Sequence, residues 1–224
     1  MQKIGDFWVP QGDLSRWKKW GKQRRKTLAY YGGGDGPKSE DILEALAMIG
    51  DGRVAVDGGA HIGAYTRLML RHFEFVHAFE PTPDTFEALQ RNIEDWGLAD
   101  RVRLYPIALS DREHKVQMKG RLGRRSTTTR VVGDGDILAC PIDSLDLGPV
   151  DFIKLDLEGY EVRALNGARK TLEKYRPYVL FEDKPERSAA YGKPRAAHEF
   201  LESLGARMVS HVGRNDCLFA FPEA

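Results

Sequence analysis

The segment from Val54 to Gly63 constrains the fold of this 224-residue chain more than any other part of the sequence. It reads Val-Ala-Val-Asp-Gly-Gly-Ala-His-Ile-Gly, which is a short apolar strand, an acid, a glycine-rich turn and the start of a helical pattern. Glycine lets the backbone turn sharply after a strand and lets a ligand approach closely. The acid, Asp57, favours a ligand that carries positive charge or hydroxyl groups. The segment therefore predicts a ligand site at the carboxyl end of the first core strand.

Apolar runs that predict strands alternate along the chain with apolar residues at helical spacing. The predicted core strands are residues 54–56, 75–79, 102–106, 152–155 and 178–181. One helix is predicted between the last two of these strands, with Val162, Leu165, Ala168 and Leu172 as its buried stripe. A further helix is predicted around 198–204, with His198 at the surface. Repeated β-α units predict a parallel sheet with helices on its faces.

Two segments depart from this alternation. Residues 115–140 are rich in glycine and arginine with short β-prone pieces, which predicts a hairpin insertion that can form a lid over a ligand. The β-prone runs 207–212 and 217–221 are joined by four residues, too few for a helical crossover, so the last strand must run antiparallel to its partner. The predicted fold is α/β, a Rossmann-like sheet that is mostly parallel with an antiparallel C-terminal strand. Residues 1–38 are predicted to form an N-terminal arm, and residues 39–224 the main domain.

A second acid, Glu80, follows the second predicted strand, 17 residues after Gly63. An acid at this place can accept hydrogen bonds from ribose hydroxyls. A nicotinamide-binding oxidoreductase has a similar pattern, but Gly58, Ala60 and Gly63 satisfy only the loose form of its glycine fingerprint. Asp57 would also repel a pyrophosphate, whereas it suits the cationic methionyl end of S-adenosylmethionine. We therefore favour S-adenosylmethionine as the cofactor and keep the oxidoreductase as an alternative.

Four motifs in this order resemble the FkbM-type family of class I S-adenosylmethionine-dependent methyltransferases. They are residues 57–63, 78–83, 108–111 and 153–161, and the resemblance covers about residues 39–182. It implies methyl transfer to a hydroxyl group of a sugar, a glycan or a small metabolite. It also implies that Glu80 holds the ribose and that Ala108 and Leu109 flank the adenine. The predicted cofactor-binding residues are Asp57, Gly58, Gly59, His61, Gly63, Glu80, Pro81, Ala108, Leu109 and Asp156.

The candidate catalytic groups lie at the end of the fourth strand, where Lys154 and Asp156 share one strand face by the two-residue period. A carboxylate there can take the proton of an acceptor hydroxyl. Asp156 is the first candidate for this base or for orienting the acceptor, and Glu158 is the second. In the alternative interpretation, Lys154 and Asp156 form a structural ion pair and Glu158 caps a helix. Glu182 completes the predicted catalytic set of Asp156, Glu158, Glu182 and Lys154.

Glu182 and Asp183 end the fifth strand, and with Asp156 they would make an oxygen-rich site suited to Mg²⁺. The alternative is that these acids form a polar rim around the acceptor pocket. The sequence leaves the identity of any metal ligands undetermined.

Charge is unevenly distributed along the chain. Residues 1–38 hold nine Lys or Arg against three Asp, a net charge of +6, which leaves the remainder at −5 within the total of +1. The arm also contains Trp17 and Trp20, and the insertion carries Arg121, Arg124, Arg125 and Arg130. These features predict an anionic acceptor or, as an alternative function, methylation of RNA. A solvated basic hairpin in the insertion, and a basic helix folded against the acidic core in the arm, would explain them equally well.

Two cysteines in a chain of this length do not make a disulfide framework, which predicts a reducing compartment. No apolar run approaches the roughly 20 residues that a membrane span requires. We therefore expect a cytoplasmic protein.

Overall fold

The computed structural model describes residues 1–14, 37–119, 129–184, 186, 193–213 and 215–222. Its strands are β1 Gln2–Ile4, β2 Phe7–Val9, β3 Gly52–Gly58, β4 Phe73–Phe79, β5 Val102–Tyr105, β6 Ala108–Leu109, β7 His114–Lys119, β8 Arg130–Cys140, β9 Phe152–Leu155, β10 Tyr178–Glu182, β11 Arg207–Val212 and β12 Asp216–Ala220. Its helices are α1 Pro37–Ile49, α2 Ala64–Met69, α3 Pro83–Asp95, α4 Glu161–Asn166, α5 Arg169–Tyr175 and α6 Ala196–Ser203.

A seven-stranded sheet in the order β11-β12-β10-β9-β3-β4-β5 forms the centre of the fold. Strands β3, β4, β5, β9 and β10 are parallel, so their carboxyl ends share one edge. Strand β12 lies antiparallel to both β10 and β11. The predicted mostly parallel sheet with a reversed C-terminal strand is therefore confirmed.

Both faces of this sheet are buried, as its parallel strands require. On one face, Ile153, Val179 and Phe219 are fully buried against helices α4 to α6. On the other face, Phe152 and Leu218 pack with residues of α1 and α2. The apolar residues of the strands reflect this double burial, and the buried acids Asp57 and Glu182 lie next to or at the carboxyl ends of their strands.

The helix predicted from the stripe at 162–172 is two short helices, because the chain breaks at Gly167. A Cβ at Gly167 would lie 1.9 Å from the carbonyl oxygen of Ser110. The carbonyl oxygen of Gly167 also accepts a hydrogen bond from the backbone N–H of Asp143. The break is thus set by a close approach of distant backbone, which helical spacing does not reveal.

A second sheet has the order β6-β8-β7, in which β7 and β8 form the predicted antiparallel hairpin. Arg130 begins β8 and is exposed. Arg121, Arg124 and Arg125 lie outside the described residues, as does the tip of the hairpin at 120–128. The assignment of these arginines to an anionic acceptor remains a prediction.

The N-terminal residues 1–14 form the β1–β2 hairpin and a 3₁₀ turn over Gln11–Asp13. Strand β2 contacts α3, with Phe7 and Val9 buried. The basic, tryptophan-containing part of the arm at 15–36 lies outside the described residues. Within the described parts of the chain, no helix combines the length and the apolar character that crossing a bilayer demands.

Candidate active site

The glycine-rich turn after β3 is held between the ends of β4 and β9. The backbone N–H groups of Gly59 and Ala60 both donate to the carbonyl oxygen of Phe79, at 3.0 and 2.9 Å. Gly59 has a φ of 76°, and a Cβ there would lie 2.1 Å from the carbonyl oxygen of Asp156. Glycine is therefore required at position 59 by the backbone conformation and by the neighbouring strand end, whatever ligand the turn binds.

Glu80, which follows β4, binds the glycine-rich turn through both oxygens of its carboxylate. Its Oε2 accepts the backbone N–H of His61 at 3.1 Å, and its Oε1 accepts the N–H of Thr82 at 2.8 Å. Burial raises the pKa of Glu80, although the positive charge of His61 and these hydrogen bonds oppose the rise. Each carboxylate oxygen can accept a second hydrogen bond, so Glu80 keeps acceptor capacity for a pair of ligand hydroxyls.

Asp57, at the end of β3, forms a fully buried ion pair with Lys154 of β9. Its Oδ1 lies 3.0 Å from Lys154 Nζ, and its Oδ2 accepts a 2.7 Å hydrogen bond from Thr66. Burial alone would lower the pKa of Lys154, but attraction to Asp57 and then to Asp156 carries it above the ordinary value. The structural ion pair considered in the sequence analysis thus joins Lys154 to Asp57, and it neutralises the acid of the glycine-rich motif.

A small open cleft lies beside this ion pair at the carboxyl ends of β9 and β10. Asp156, Glu182 and Asp216 line it together with Lys154 and Tyr65. Lys154 Nζ lies 5.0 Å from the centre of the Tyr65 ring. With Lys154 already paired to Asp57, the carboxylates of Asp156 and Asp216 give the cleft an acidic character.

The carboxylates of Asp156, Glu158 and Glu182 lie close together, and one oxygen of each lies within 4.8 Å of one oxygen of the other two. Burial, and next the charge of Asp156, raise the pKa of Glu182 to about 8, while an ion pair with Lys184 opposes the rise. Glu182 is therefore mostly protonated at neutral pH and can exchange its proton in the working range of an enzyme. The predicted catalytic residues are brought together by the fold.

Glu161, which the sequence analysis did not single out, makes the capping contacts proposed there for Glu158. Its Oε1 accepts the backbone N–H groups of Leu157 at 2.8 Å and Gly159 at 3.2 Å. Burial raises the pKa of Glu161 to about 7. Glu158 has a φ of 57° within the same turn. The signal for Glu161 is its place at the first position of α4, where an acid can accept the free N–H groups of the preceding turn.

Asp183 does not join the acidic cleft, because successive residues of a strand point to opposite faces. Its Oδ2 lies 2.9 Å from Nε2 of His198, which is only 3% exposed and is flanked by the rings of Phe181 and Phe219. The prediction of a surface His198 is therefore wrong. Asp183 and His198 also lie near Cys217, whose pKa burial raises to about 11.

The other predicted cofactor-binding residues lie around the glycine-rich turn and differ in how far they are buried. Ala108 and Leu109 are buried, and a Cβ at Gly58 would lie 3.0 Å from Leu109 Cδ1, so Leu109 supports the turn from within the core. Pro81 is half-buried beside Glu80. Gly63 has a φ of 88° at the start of α2.

A model of the methyltransferase FkbM domain matches residues 57–208 of the chain. No curated protein matches the sequence.

Three solved structures illustrate the likeness in fold. The methyltransferase FkbM from Methylobacillus flagellatus KT is 21% identical, with a TM-score of 0.52 over 77% of this chain and 44% of that one. The m1A22 tRNA methyltransferase TrmK of B. subtilis is 14% identical, with a TM-score of 0.50 over 82% and 66% of the two chains. A Streptococcus mutans protein classed as a methyltransferase and solved with SAH is 11% identical, with a TM-score of 0.51 over 80% and 97%. The chain spans less than half the length of the Methylobacillus protein.

Proposed function

Because this chain belongs to the FkbM methyltransferase domain family, we propose that it transfers a methyl group from S-adenosylmethionine to a hydroxyl group of a small, uncharged acceptor such as a sugar. The observation that carries this proposal is the juxtaposition of two features at one sheet edge. The first is the glycine-rich turn held by Glu80, and the second is the cleft lined by Asp156 and Glu182. A nucleoside and an acceptor would then lie side by side across the ends of β3, β4, β9 and β10.

The donor set of the turn fits S-adenosylmethionine. Glu80 retains acceptor sites for the two ribose hydroxyls. Asp156 and Glu158 supply negative charge on the side of the cleft, which suits a sulfonium cation better than a phosphate. S-adenosylmethionine would supply an activated methyl group. The SAH in the Streptococcus mutans structure supports the same choice of cofactor.

The acidic cleft suggests how an acceptor hydroxyl is held and deprotonated. Asp156 accepts its hydrogen bond and orients its oxygen, because correct positioning supplies much of the acceleration in a displacement reaction. Glu182 in its ionised form then takes the hydroxyl proton, since a base with a pKa of about 8 is well matched to this task near neutral pH. The carboxylates would repel an anionic group entering the cleft, which favours an uncharged acceptor.

Calorimetric titration with SAH tests the cofactor site. We expect Glu80→Gln to weaken SAH binding about tenfold or more, because a charged acceptor of two hydroxyl hydrogen bonds is lost. Glu74→Gln, at an exposed position of β4, is the matched control and should bind SAH like the unaltered protein. Equal affinity in the Glu80 and Glu74 variants would place the ribose elsewhere.

Methylation of RNA is the second candidate function, and the net charge of +6 in residues 1–38 favours it. The likeness to the B. subtilis tRNA methyltransferase is consistent with this candidate at the level of fold. Binding of RNA that weakens steeply with salt and disappears on removal of that charge would support it. Transfer of labelled methyl groups into the RNA and small-molecule fractions of a cell extract would decide between the two acceptors.

A further inference from the structure

The N-terminal hairpin packs against the helix that follows Glu80. Phe7 is 1% exposed and lies edge-to-face with Trp96, with ring centres 5.1 Å apart. Trp96 Nε1 donates a 3.0 Å hydrogen bond to the carbonyl oxygen of Asp6. Trp8 Nε1 donates to Asp95 at 2.8 Å. Residues 1–14 therefore pack on the domain on the side of the glycine-rich turn.

Asn92 of α3 connects this hairpin directly to the turn. Its Oδ1 accepts the backbone N–H of Trp8 at 2.6 Å, and its Nδ2 donates to the carbonyl oxygens of Trp8 at 3.0 Å and Ile62 at 2.9 Å. Asn92 is fully buried, so replacing this amide would leave backbone groups of both segments without their partner. One side chain thus fixes the distance between the hairpin and the turn.

Asp13 provides a second connection, which leads to Glu80. Asp13 is 1% exposed, and its Oδ2 lies 3.5 Å from Nε2 of His61 in the turn. His61 has a φ of 53°, a left-handed conformation that is strained for a residue other than glycine. In this conformation its backbone N–H donates to Oε2 of Glu80. Asp13 therefore holds the ring of the residue whose backbone orients the Glu80 carboxylate.

We propose that residues 1–14 are part of the cofactor site, and that Asp13 is a positioning residue that acts through His61 on Glu80. This inference rests on the proposed function, because it assumes that S-adenosylmethionine binds at Glu80. Asp13 and Asn92 together keep the turn in the conformation in which Glu80 presents its free acceptor positions to the ribose. The hairpin is thereby a functional part of the methyltransferase domain as well as a cover for α3.

SAH titration of the full chain with Asp13→Asn tests the inference, and Asp6→Asn is the matched control. Both substitutions are isosteric and lie in the same segment, but Asp6 is exposed. We expect Asp13→Asn to weaken SAH binding about fivefold, the effect of one hydrogen-bonded contact, while Asp6→Asn binds normally. If the unaltered protein binds SAH and both variants bind equally well, Asp13 has no positioning role and the proposed function stands. If the unaltered protein does not bind SAH, both the proposed function and this inference fail.

Combining Asp13→Asn with His61→Gly distinguishes a positioning role of Asp13 from a purely structural one. Glycine adopts the left-handed conformation without strain, so the turn no longer needs a partner for the side chain at 61. In this background Asp13→Asn should cause no further loss of affinity, whereas independent effects would simply add. Should the variants fold poorly, hydrogen exchange of the unaltered protein gives the answer. SAH should slow exchange in residues 2–14 together with the turn, and unchanged exchange in that segment would overturn the inference.

Discussion

Replacement of Glu182 by glutamine should make the protein more stable, by an amount that grows as the pH rises. Burial and the charge of Asp156 raise the pKa of Glu182 from 4.5 to about 8 in the folded protein. Between these values the unfolded chain has released the proton of Glu182 and the folded protein retains it. The contribution of Glu182 to the free energy of unfolding is therefore zero below this window. It becomes steadily more unfavourable as the pH rises through the window, and it stays constant above it. A glutamine side chain does not titrate, so the Glu182→Gln variant escapes this loss.

The size of the effect follows from the width of that window. Each pH unit inside it lowers the free energy of unfolding by about 1.4 kcal/mol. Between about pH 5 and pH 9 the stability of the variant relative to the unaltered protein should therefore increase by roughly 4 kcal/mol. The ion pair with Lys184 is already included in the raised pKa, because it is one of the opposing causes.

Urea unfolding of both proteins across this pH range measures the difference directly. Other groups with raised pKa values, such as Glu161, titrate in both proteins and cancel in the comparison. Glu74→Gln, at an exposed site, should keep the pH dependence of the unaltered protein. A difference between the Glu182 variant and the unaltered protein that stays constant with pH would refute the argument, because it would mean that Glu182 is ionised in the folded state at ordinary acidity.

Two further predictions concern the same sheet edge. If Glu182 is the base, kcat/KM should rise with pH with an apparent pKa of about 8. Asp156→Asn should lower that apparent pKa, because it removes a neighbouring negative charge. A value of kcat/KM that falls over this pH range would exclude Glu182 as the base. Lys154→Met should lower the free energy of unfolding by about 3–5 kcal/mol, because it leaves Asp57 buried without its cation. The double variant that adds Asp57→Asn should recover much of this loss in urea unfolding, and a single variant as stable as the unaltered protein would contradict the buried ion pair.

The features of the fold that depend on local pattern are predictable from the sequence. The acids Asp57, Glu80 and Asp156 follow apolar runs, and parallel strands bring such residues to one edge. Which acid pairs with which cation is not predictable from the sequence, because it depends on the register between strands that are far apart in the chain. Asp57 stands opposite Lys154, a partner 97 residues away, and Asp156 lines the cleft beside this pair.

The features that the sequence pattern mispredicts or does not reveal have equally specific structural causes. The polarity of His198 predicts a position at the surface. His198 instead shares a helix face with Leu201, three residues further on, and both side chains are buried. The role of Asp13 cannot be read from the sequence, because its partner His61 comes from a turn 48 residues away whose backbone conformation is decisive. Gly167 likewise interrupts a helix for a reason that lies in the loop around Ser110.

Strand β12 runs against its neighbours, so it contributes its beginning, and not its end, to the rim of the cleft. Asp216, the first residue of β12, stands opposite Glu182, the last residue of β10. The composition of this rim therefore depends on the register of β12 against β10. A shift of β12 by one residue relative to β10 would turn the Asp216 side chain to the opposite face of the sheet and remove one carboxylate from the cleft.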